Sequence, residues 1–534
     1  MPVPQLPRAR GIGLVAFAAA LLVSACATLP PGLDAPKTAS AAFAQPETTT
    51  IGRQLDARAK GHAGTSGFHL LLDGTTSFAV HRQIAEKVAR TLDVQYFLFQ
   101  QDDTGQLLLN AMLAAADRGV RVRLLLDDAQ DFDAGSKIRP LAAHPNIEIR
   151  VFNPFVAHKG FAFLRGAEYL LDAWRLNYRM HNKLFIGDNA VAVTGGRNIG
   201  DEYFQASVEV EFGDFDLAVA GPMVRQLSQS FDTYWNDRLA VPVEALPSGK
   251  PPVADLEISR KALAEHKEKM ASSEYLRSLP KGNLLADIMS GKQPLVWASA
   301  VLAYDTPDKA QVTSGEQPGR LMWKRVAQAA EGAKSELIIV SPYLVPGDAE
   351  LALLRRLRQQ GVRVRLLTNS LASTDVPLVH AGYLRYRAPL LEEGAELYEV
   401  RPMLGQPNTA RGLIKSGSTG AFALHAKVFV IDRARVFVGS MNFDQRSLRV
   451  NTEMGLIIDS PQIAREIAAR FDAIVKPANS YKLVFEPGDR GRRAVRWLSE
   501  EDGKTVRFDV EPGVDVAKRT WVETLSLMPL DQLL

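Results

Sequence analysis

Two stretches of this sequence, more than two hundred residues apart, spell nearly the same strand. Gly119-Val120-Arg121-Val122-Arg123-Leu124-Leu125-Leu126, closed by Asp127-Asp128, returns 242 residues later as Gly361-Val362-Arg363-Val364-Arg365-Leu366-Leu367. Each copy has the same surroundings. Before the first come an apolar strand pattern over Val94–Phe99 and a helical pattern over Gly105–Arg118. Before the second come Leu337–Val340 and a helical pattern over Asp348–Gln360. Strand, helix, strand in that order reads as a βαβ unit. Solenoid repeats have periods of roughly 20 to 50 residues, so a repeat this long implies two fused copies of one α/β domain. The chain's 534 residues suit that reading, because single cores stop growing near ~250–300 residues.

Polar residues repeat with the strands. The first copy reads His181-Asn182-Lys183, then Asp188, then Gly195-Gly196-Arg197-Asn198. The second reads His425-Ala426-Lys427, then Asp432, then Gly439-Ser440-Met441-Asn442. An offset of 244 residues separates His181 from His425, Lys183 from Lys427, Asp188 from Asp432, Gly195 from Gly439 and Asn198 from Asn442. Residues two apart on a strand share a face, so each His and Lys should point the same way, with Asn182 and Ala426 opposite. A pseudo-two-fold arrangement would bring two imidazoles, two ammonium groups and two amides into one pocket suited to a phosphodiester. One imidazole can attack phosphorus and the other protonate the leaving oxygen, while lysines and asparagines neutralise the developing charge. Clustered carboxylates of the kind that hold magnesium or a metal pair do not accompany the motif. No metal and no cofactor are expected.

Gly195, Gly196 and Gly439 are read as permitting close backbone approach, and Ser440 as a possible hydrogen-bond donor to substrate or a structural hydroxyl. Asp188 and Asp432, five residues past their lysines, read as loop-capping groups that need not touch phosphate. Outside the motifs, Asp375 and His380 follow a strand end, where binding loops gather in α/β domains.

The N-terminus carries a different signal. Arg8 and Arg10 precede an apolar run, Gly11–Ala25, too short for a spanning helix of ~20 residues but suited to a secretory signal. Val23-Ser24-Ala25-Cys26 resembles a bacterial lipobox, and Cys26 is the sole cysteine. The organisation expected is a signal peptide over 1–25, a lipidated flexible tether over 26–50, a first domain over 51–242, an inter-lobe segment over 243–317, a second domain over 318–478 and a C-terminal extension over 479–534. Trp497 and Trp521 in that extension read as packing groups, with insertion into lipid as the alternative. With 63 Lys plus Arg against 60 Asp plus Glu, a net charge of +3 disfavours an extended nucleic-acid footprint.

His-x-Lys-x4-Asp followed by Gly-Gly/Ser-x-Asn, twice in one chain, resembles the phospholipase D superfamily. The resemblance implies two fused phospholipase D-like domains, each with a mixed β-sheet flanked by helices, and a covalent phosphohistidine resolved by water or an alcohol. By the same analogy His181 is the nucleophile and His425 its acid–base partner. A carboxylate should orient each histidine: Glu453 matches that role, and for the first copy Glu209 and Asp216 both stand open. Arg175–His181, Gly195–Phe204, Asn369–Asp375, Val379–Tyr383, Val438–Ser447 and Asn451–Gly455 look like the C-type bacterial cardiolipin synthases. That likeness implies either headgroup recognition or a fold-stabilising role for Asp375 and His380, phospholipid substrates at a membrane surface, and an active site complete within a monomer. It also implies transfer of a phosphatidyl group to phosphatidylglycerol, with phosphatidylethanolamine as donor. A lipid hydrolase, a nuclease and a non-catalytic envelope scaffold are the competing readings. The lipobox places the protein in the cell envelope facing the periplasm, with the outer membrane favoured.

Overall fold

The computed structural model describes residues 33–129, 136–155, 168, 173–309, 321–404, 421–487 and 493–528. The signal and Cys26 lie outside the described residues. The first half contains β1 (Ser66–Leu71), β2 (Thr91–Tyr96), β3 (Arg121–Asp127), β4 (Ile147–Phe152), β5 (Leu184–Gly187), β6 (Val191–Gly195), β7 (Val210–Gly213), β8 (Asp216–Ala220) and β9 (Ala240–Pro242). The second contains β10 (Val296–Tyr304), β11 (Glu336–Val340), β12 (Leu344–Val345), β13 (Arg363–Asn369), β14 (Glu396–Val400), β15 (Ala421–Leu424), β16 (Val428–Ile431), β17 (Arg435–Gly439), β18 (Phe443–Asp444), β19 (Met454–Asp459), β20 (Ser480–Pro487), β21 (Arg493–Glu501) and β22 (Lys504–Phe508).

Pairing of these strands reveals the duplication. The first sheet runs β1-β8-β6-β5-β2-β3-β4-β9. The second runs β10-β19-β17-β16-β11-β13-β14-β20, and β21 and β22 extend its far edge. In each, three central strands are parallel and the rest antiparallel, giving the mixed α/β architecture. Edge strands β1 and β10 pair antiparallel, Gly67 opposite Trp297, and join the two sheets.

Alternation within strands distributes side chains between cores. In β5, Leu184 and Ile186 enter a core shared by both halves, which also holds Val428, Val430 and residues of helices Pro222–Trp235 and Pro461–Ile474. Phe185, on the opposite face, joins the outer core of the first half with helices Gly74–Lys87 and Asp103–Asp117. A third core covers the outer face of the second half. The two outer helices of the first half begin at aspartates, Asp73 and Asp102, whose carboxylates accept first-turn N–H groups, as N-caps do.

One stretch behaves differently from its sequence reading. Leu33–Thr49 is laid along the first half instead of forming a flexible tether. Leu33 is buried in the shared core, and Lys37 donates to the carbonyls of Asp237, Arg238 and Ala240. Arg121, Arg123 and Arg150 donate to Ala41, Ser40 and Thr38 carbonyls respectively. These polar, Pro-containing residues lack periodicity because they satisfy arginines projecting from β3 and β4. Between the halves, the stretch 243–317 carries helix Val253–Ala271 and β10. Its half-exposed β10 gives only a broken alternation.

Trp497 is buried and donates to Glu399 at 2.9 Å, whereas Trp521 on helix Val516–Ser526 is 53% exposed. Among the described residues no helix is long and apolar enough to cross a membrane.

Arg123 is 1% exposed and bridges Asp93 at 2.6 Å and Asp232 at 2.8 Å. Removing one partner of a buried ion pair costs about 3–5 kcal/mol. Arg123→Ala is expected to lose stability on that scale in urea unfolding followed by tryptophan fluorescence; a midpoint unchanged from wild type would refute this role.

Candidate active site

The histidine motifs do not lie within strands. His181 and Lys183 precede β5, and His425 and Lys427 precede β16, in extended segments clamped by the opposite half. Met180 forms a parallel bridge with Thr452, and β15, ending at Leu424, pairs with β7, ending at Gly213. As a result the backbone N–H of His181 donates to Thr452 at 2.9 Å, and that of His425 to Gly213, also at 2.9 Å.

The residue after each of those carbonyls is an acid aimed at the same histidine. Glu453 Oε2 lies 2.8 Å from His181 Nδ1, and Asp214 Oδ2 lies 2.6 Å from His425 Nδ1. Each imidazole is therefore oriented by a carboxylate of the other half. An Nδ1–H facing a carboxylate leaves the Nε2 lone pair free in the neutral ring. Lys427 Nζ stands 2.9 Å from His425 Nδ1; since that nitrogen already donates to Asp214, the ammonium instead hydrogen-bonds the His425 carbonyl. Lys183 Nζ donates to the His181 carbonyl at 2.7 Å.

All four groups are buried, the lysines to 1% exposure. Burial pulls the His181 imidazole down to about 4, with Glu453 resisting and Lys183 adding. His425 is driven well below the usual histidine range by burial, then by Lys427, Lys183 and His181. Burial brings Lys183 to about 7 and Lys427 to about 8. Burial pushes Glu453 up, but His181 and Lys183 outweigh it and hold the carboxyl below its usual range. Burial leaves Asp214 above its usual range despite Lys427 and Arg197. The mutual influence of groups from both halves marks one shared site.

Asn198 and Asn442 flank it unequally. Asn198 donates to the Tyr203 hydroxyl at 2.9 Å and accepts from Leu98 N at 3.3 Å. Asn442 Oδ1 is buried without a protein partner. Ser440 donates to Glu453 at 2.5 Å and accepts from Met454 N at 3.0 Å, so its hydroxyl serves the orienting acid. A Cβ at Gly196 would clash with Asp214 Oδ1, and one at Gly439 with the Met454 carbonyl; both glycines allow close approach of the segment that carries the orienting carboxylate. Gly195 likewise abuts Asp216.

Asp188 and Asp432 sit at the other end of their strands. Asp188 accepts from the N–H groups of Ala89, Arg90 and Thr91, and Asp432 from those of Lys334, Ser335 and Glu336. Both adopt φ +53°, a conformation Asp tolerates better than most residues. His380 is also away from the site: it is buried against Glu511 at 2.8 Å, beside Arg387 at 2.9 Å, in a network that fastens the C-terminal extension. Asp375 is exposed and accepts from the Tyr343 hydroxyl at 2.8 Å. Among the described residues no cluster of three or more His, Cys, Asp or Glu could hold a metal ion.

The first-half acid corrects the sequence reading. Neither Glu209 nor Asp216 orients a histidine. Asp216 binds Ser77 at 2.7 Å and Arg197 at 3.2 Å, and Glu209 offers its backbone carbonyl to Ala421 N. The repeat offset of 244 would map Glu453 onto Glu209, but five extra residues in the first half shift the equivalent to Asp214. Strand register carries the missing signal, since Gly195 pairs with Asp216 as Gly439 pairs with Gly455, each two residues past the acid. Sequence reasoning also missed Lys309. It is 4% exposed and donates to Asp305 at 2.7 Å and to the carbonyls of Ser447 and Asn451 at 2.8 and 2.7 Å. Asp305 in turn accepts from Glu453 N at 3.1 Å.

Two fused α/β halves sharing one His/Lys site define a duplicated phosphodiester-processing enzyme. Residues 82–235 and 326–475 both match the family model described as "Cardiolipin synthase, PLD-like domain". The chain belongs to that family, within the phospholipase D superfamily. It is 38% identical to cardiolipin synthase C of Escherichia coli (strain K12) over 480 residues, covering 89% of this chain and 97% of that one. It is 27% identical to cardiolipin synthase A of Pseudomonas aeruginosa (strain LESB58), covering 82% and 72%. Among solved structures, phosphatidylserine synthase of Haemophilus influenzae Rd KW20 shares the fold, with a TM-score of 0.54 at 13% identity, covering 90% of this chain and 99% of that one.

Replacing either acid by its amide keeps the shape but allows the opposite tautomer. Glu453→Gln and Asp214→Asn are each expected to lower kcat by about 10³–10⁴-fold with an unchanged circular dichroism spectrum. A loss under tenfold in both would remove the carboxylates from the mechanism.

Proposed function

We propose that this chain is a phosphatidyltransferase that makes cardiolipin from phosphatidylglycerol and a second phospholipid, phosphatidylethanolamine, through a phosphohistidine intermediate. The observation that carries this reading is the intact doubled set: two histidines, each held by a carboxylate of the other half, between two buried lysines. Similarity to cardiolipin synthase C along nearly that protein's whole length supports the choice of lipid.

His181 Nε2 attacks the donor phosphorus and the bond to the headgroup oxygen breaks. His425, which takes up a proton at Nε2 as the anionic donor lipid binds and is then held as imidazolium by Asp214, gives that proton to the headgroup oxygen. His425 then takes the proton of a phosphatidylglycerol hydroxyl, whose oxygen attacks phosphorus and displaces His181. The ionised Glu453 enriches the His181 ring, which supports His181 as nucleophile over His425, whose partner Asp214 is raised. Lys183, Lys427, Asn198 and Asn442 hold the non-bridging oxygens and stabilise charge as it develops. The burial of all four His and Lys side chains favours a lipid hydroxyl over water as the second nucleophile. Acylation at Cys26 would retain the enzyme in the cell envelope, facing the periplasm, with the outer membrane favoured.

Purified protein in vesicles of phosphatidylethanolamine and phosphatidylglycerol is expected to yield cardiolipin and ethanolamine by mass spectrometry, with both products lost in His181→Ala and His425→Ala. Phosphatidic acid in place of cardiolipin would make the enzyme a hydrolase, and no lipid turnover would overturn the reading.

The pH profile of kcat/KM reports groups of the free enzyme. Attack needs His181 unprotonated, so activity should rise through about 4. The lysines must stay charged, so it should fall across about 7 to 8. Lys183→Arg, which keeps its charge at all these values, is expected to move the alkaline limb up to that of Lys427. An alkaline limb unmoved in this variant would exclude Lys183 as its source.

A further inference from the structure

A carboxylate stands beside this cationic site without belonging to its histidine pairs. Asp375 ends a loop that starts at Asn369, the last residue of β13. Asn369 clamps Leu424, the residue before His425, by donating to its carbonyl at 2.9 Å and accepting from its N–H at 2.8 Å. Six residues on, Asp375 Oδ2 accepts from the Tyr343 hydroxyl. Tyr343 immediately precedes β12, which pairs with β18 directly after Asn442, and the Ser341 hydroxyl accepts from Phe443 N at 2.9 Å. The Tyr343–Asp375 pair is therefore anchored to two of the segments that build the site.

Its electrostatic reach agrees with that placement. Asp375 acts on Lys427 and on Tyr203, raising the proton affinity of both. Tyr203 packs edge-on against His425, ring centroids 5.0 Å apart. Unlike Glu453 and Asp214, Asp375 is exposed, and among the described residues it accepts a hydrogen bond from the Tyr343 hydroxyl.

We propose that Asp375, positioned by Tyr343, forms the subsite that binds the primary ammonium of the donor lipid's headgroup. Phosphate bound between Lys183 and Lys427 places the ammonium two carbons beyond the ester oxygen, outside the cationic centre. An exposed carboxylate there attracts the ammonium and offers nothing comparable to an uncharged headgroup. Tyr343 donates to one oxygen and leaves the other as acceptor. His380, buried against Glu511, contributes by holding the adjoining helix Pro377–Glu392 and does not touch the headgroup. This assignment rests on the phospholipid-transfer reading above and names the group that selects the donor.

The test compares headgroup release from phosphatidylethanolamine with release from the isosteric lipid bearing a hydroxyl in place of the ammonium, in phosphatidylglycerol vesicles. A charge-assisted hydrogen bond corresponds to a kcat/KM ratio of about 10 to 100 in favour of ethanolamine. That ratio is expected in wild type, to approach unity in Asp375→Asn, and to be intermediate in Tyr343→Phe and Asp375→Glu. A wild-type ratio near unity, or an unchanged ratio in Asp375→Asn, would overturn the subsite. Phosphatidic acid without cardiolipin, with the ratio still lost in Asp375→Asn, would overturn the transfer reading and retain the subsite. Cardiolipin formed with an unchanged ratio would do the reverse, and a wild type that releases neither headgroup would overturn both.

Discussion

The active centre depends on a pairing that neither half can make alone. His181 comes from the first half and its acid from the second; His425 comes from the second and its acid from the first. The backbone repeats the exchange, each histidine N–H resting on the carbonyl just before the foreign acid. Orientation and charge of the imidazoles thus report directly on correct docking of the halves. The geometry is that of a two-fold dimer, in which residue i meets residue j and j meets i, made permanent by one polypeptide. The equivalent strands β1 and β10 meet across that symmetry through antiparallel hydrogen bonds.

Burial sets the chemistry that this docking makes available. Histidines freely exposed near neutrality would be partly protonated; here desolvation and two neighbouring ammonium groups hold them toward the neutral form until an anionic substrate enters. The same desolvation lowers both lysines toward neutrality, so arrival of an anionic phosphodiester strengthens their charge when it is needed. Support for Glu453 extends outward through Asp305 to the buried Lys309, whose three acceptors include two carbonyls of the 447–451 segment. This chain of contacts fixes the acid without placing another charge on the substrate.

Much of this was legible because duplication prints each functional residue twice. The repeated strands around Arg121 and Arg363, and the His/Lys/Gly/Asn spacing, gave architecture and the six polar groups without any contact information. What escaped was whatever broke the repeat. Asp214 was hidden by a local insertion that changes the offset while the strand register stays intact. The exchange of acids between halves was invisible because sequence spacing carries no information about which copy a side chain faces. Lys309 lies in a turn with no counterpart pattern, and only burial shows its significance. Leu33–Thr49 resembled a loose connector because the contacts that hold its middle to the arginines are made by backbone carbonyls, which composition does not reveal.

That strap bears on how the molecule would meet a bilayer. Its first described residue, Leu33, is already embedded in the shared core, and only seven positions separate it from Cys26. Even fully extended, that interval spans no more than about 25 Å. An acyl chain at Cys26 would therefore act as a short leash, holding Leu33 within that distance of the lipid surface. Such a leash would turn a three-dimensional search for substrate into a two-dimensional one and would restrict which side of the protein can face the membrane.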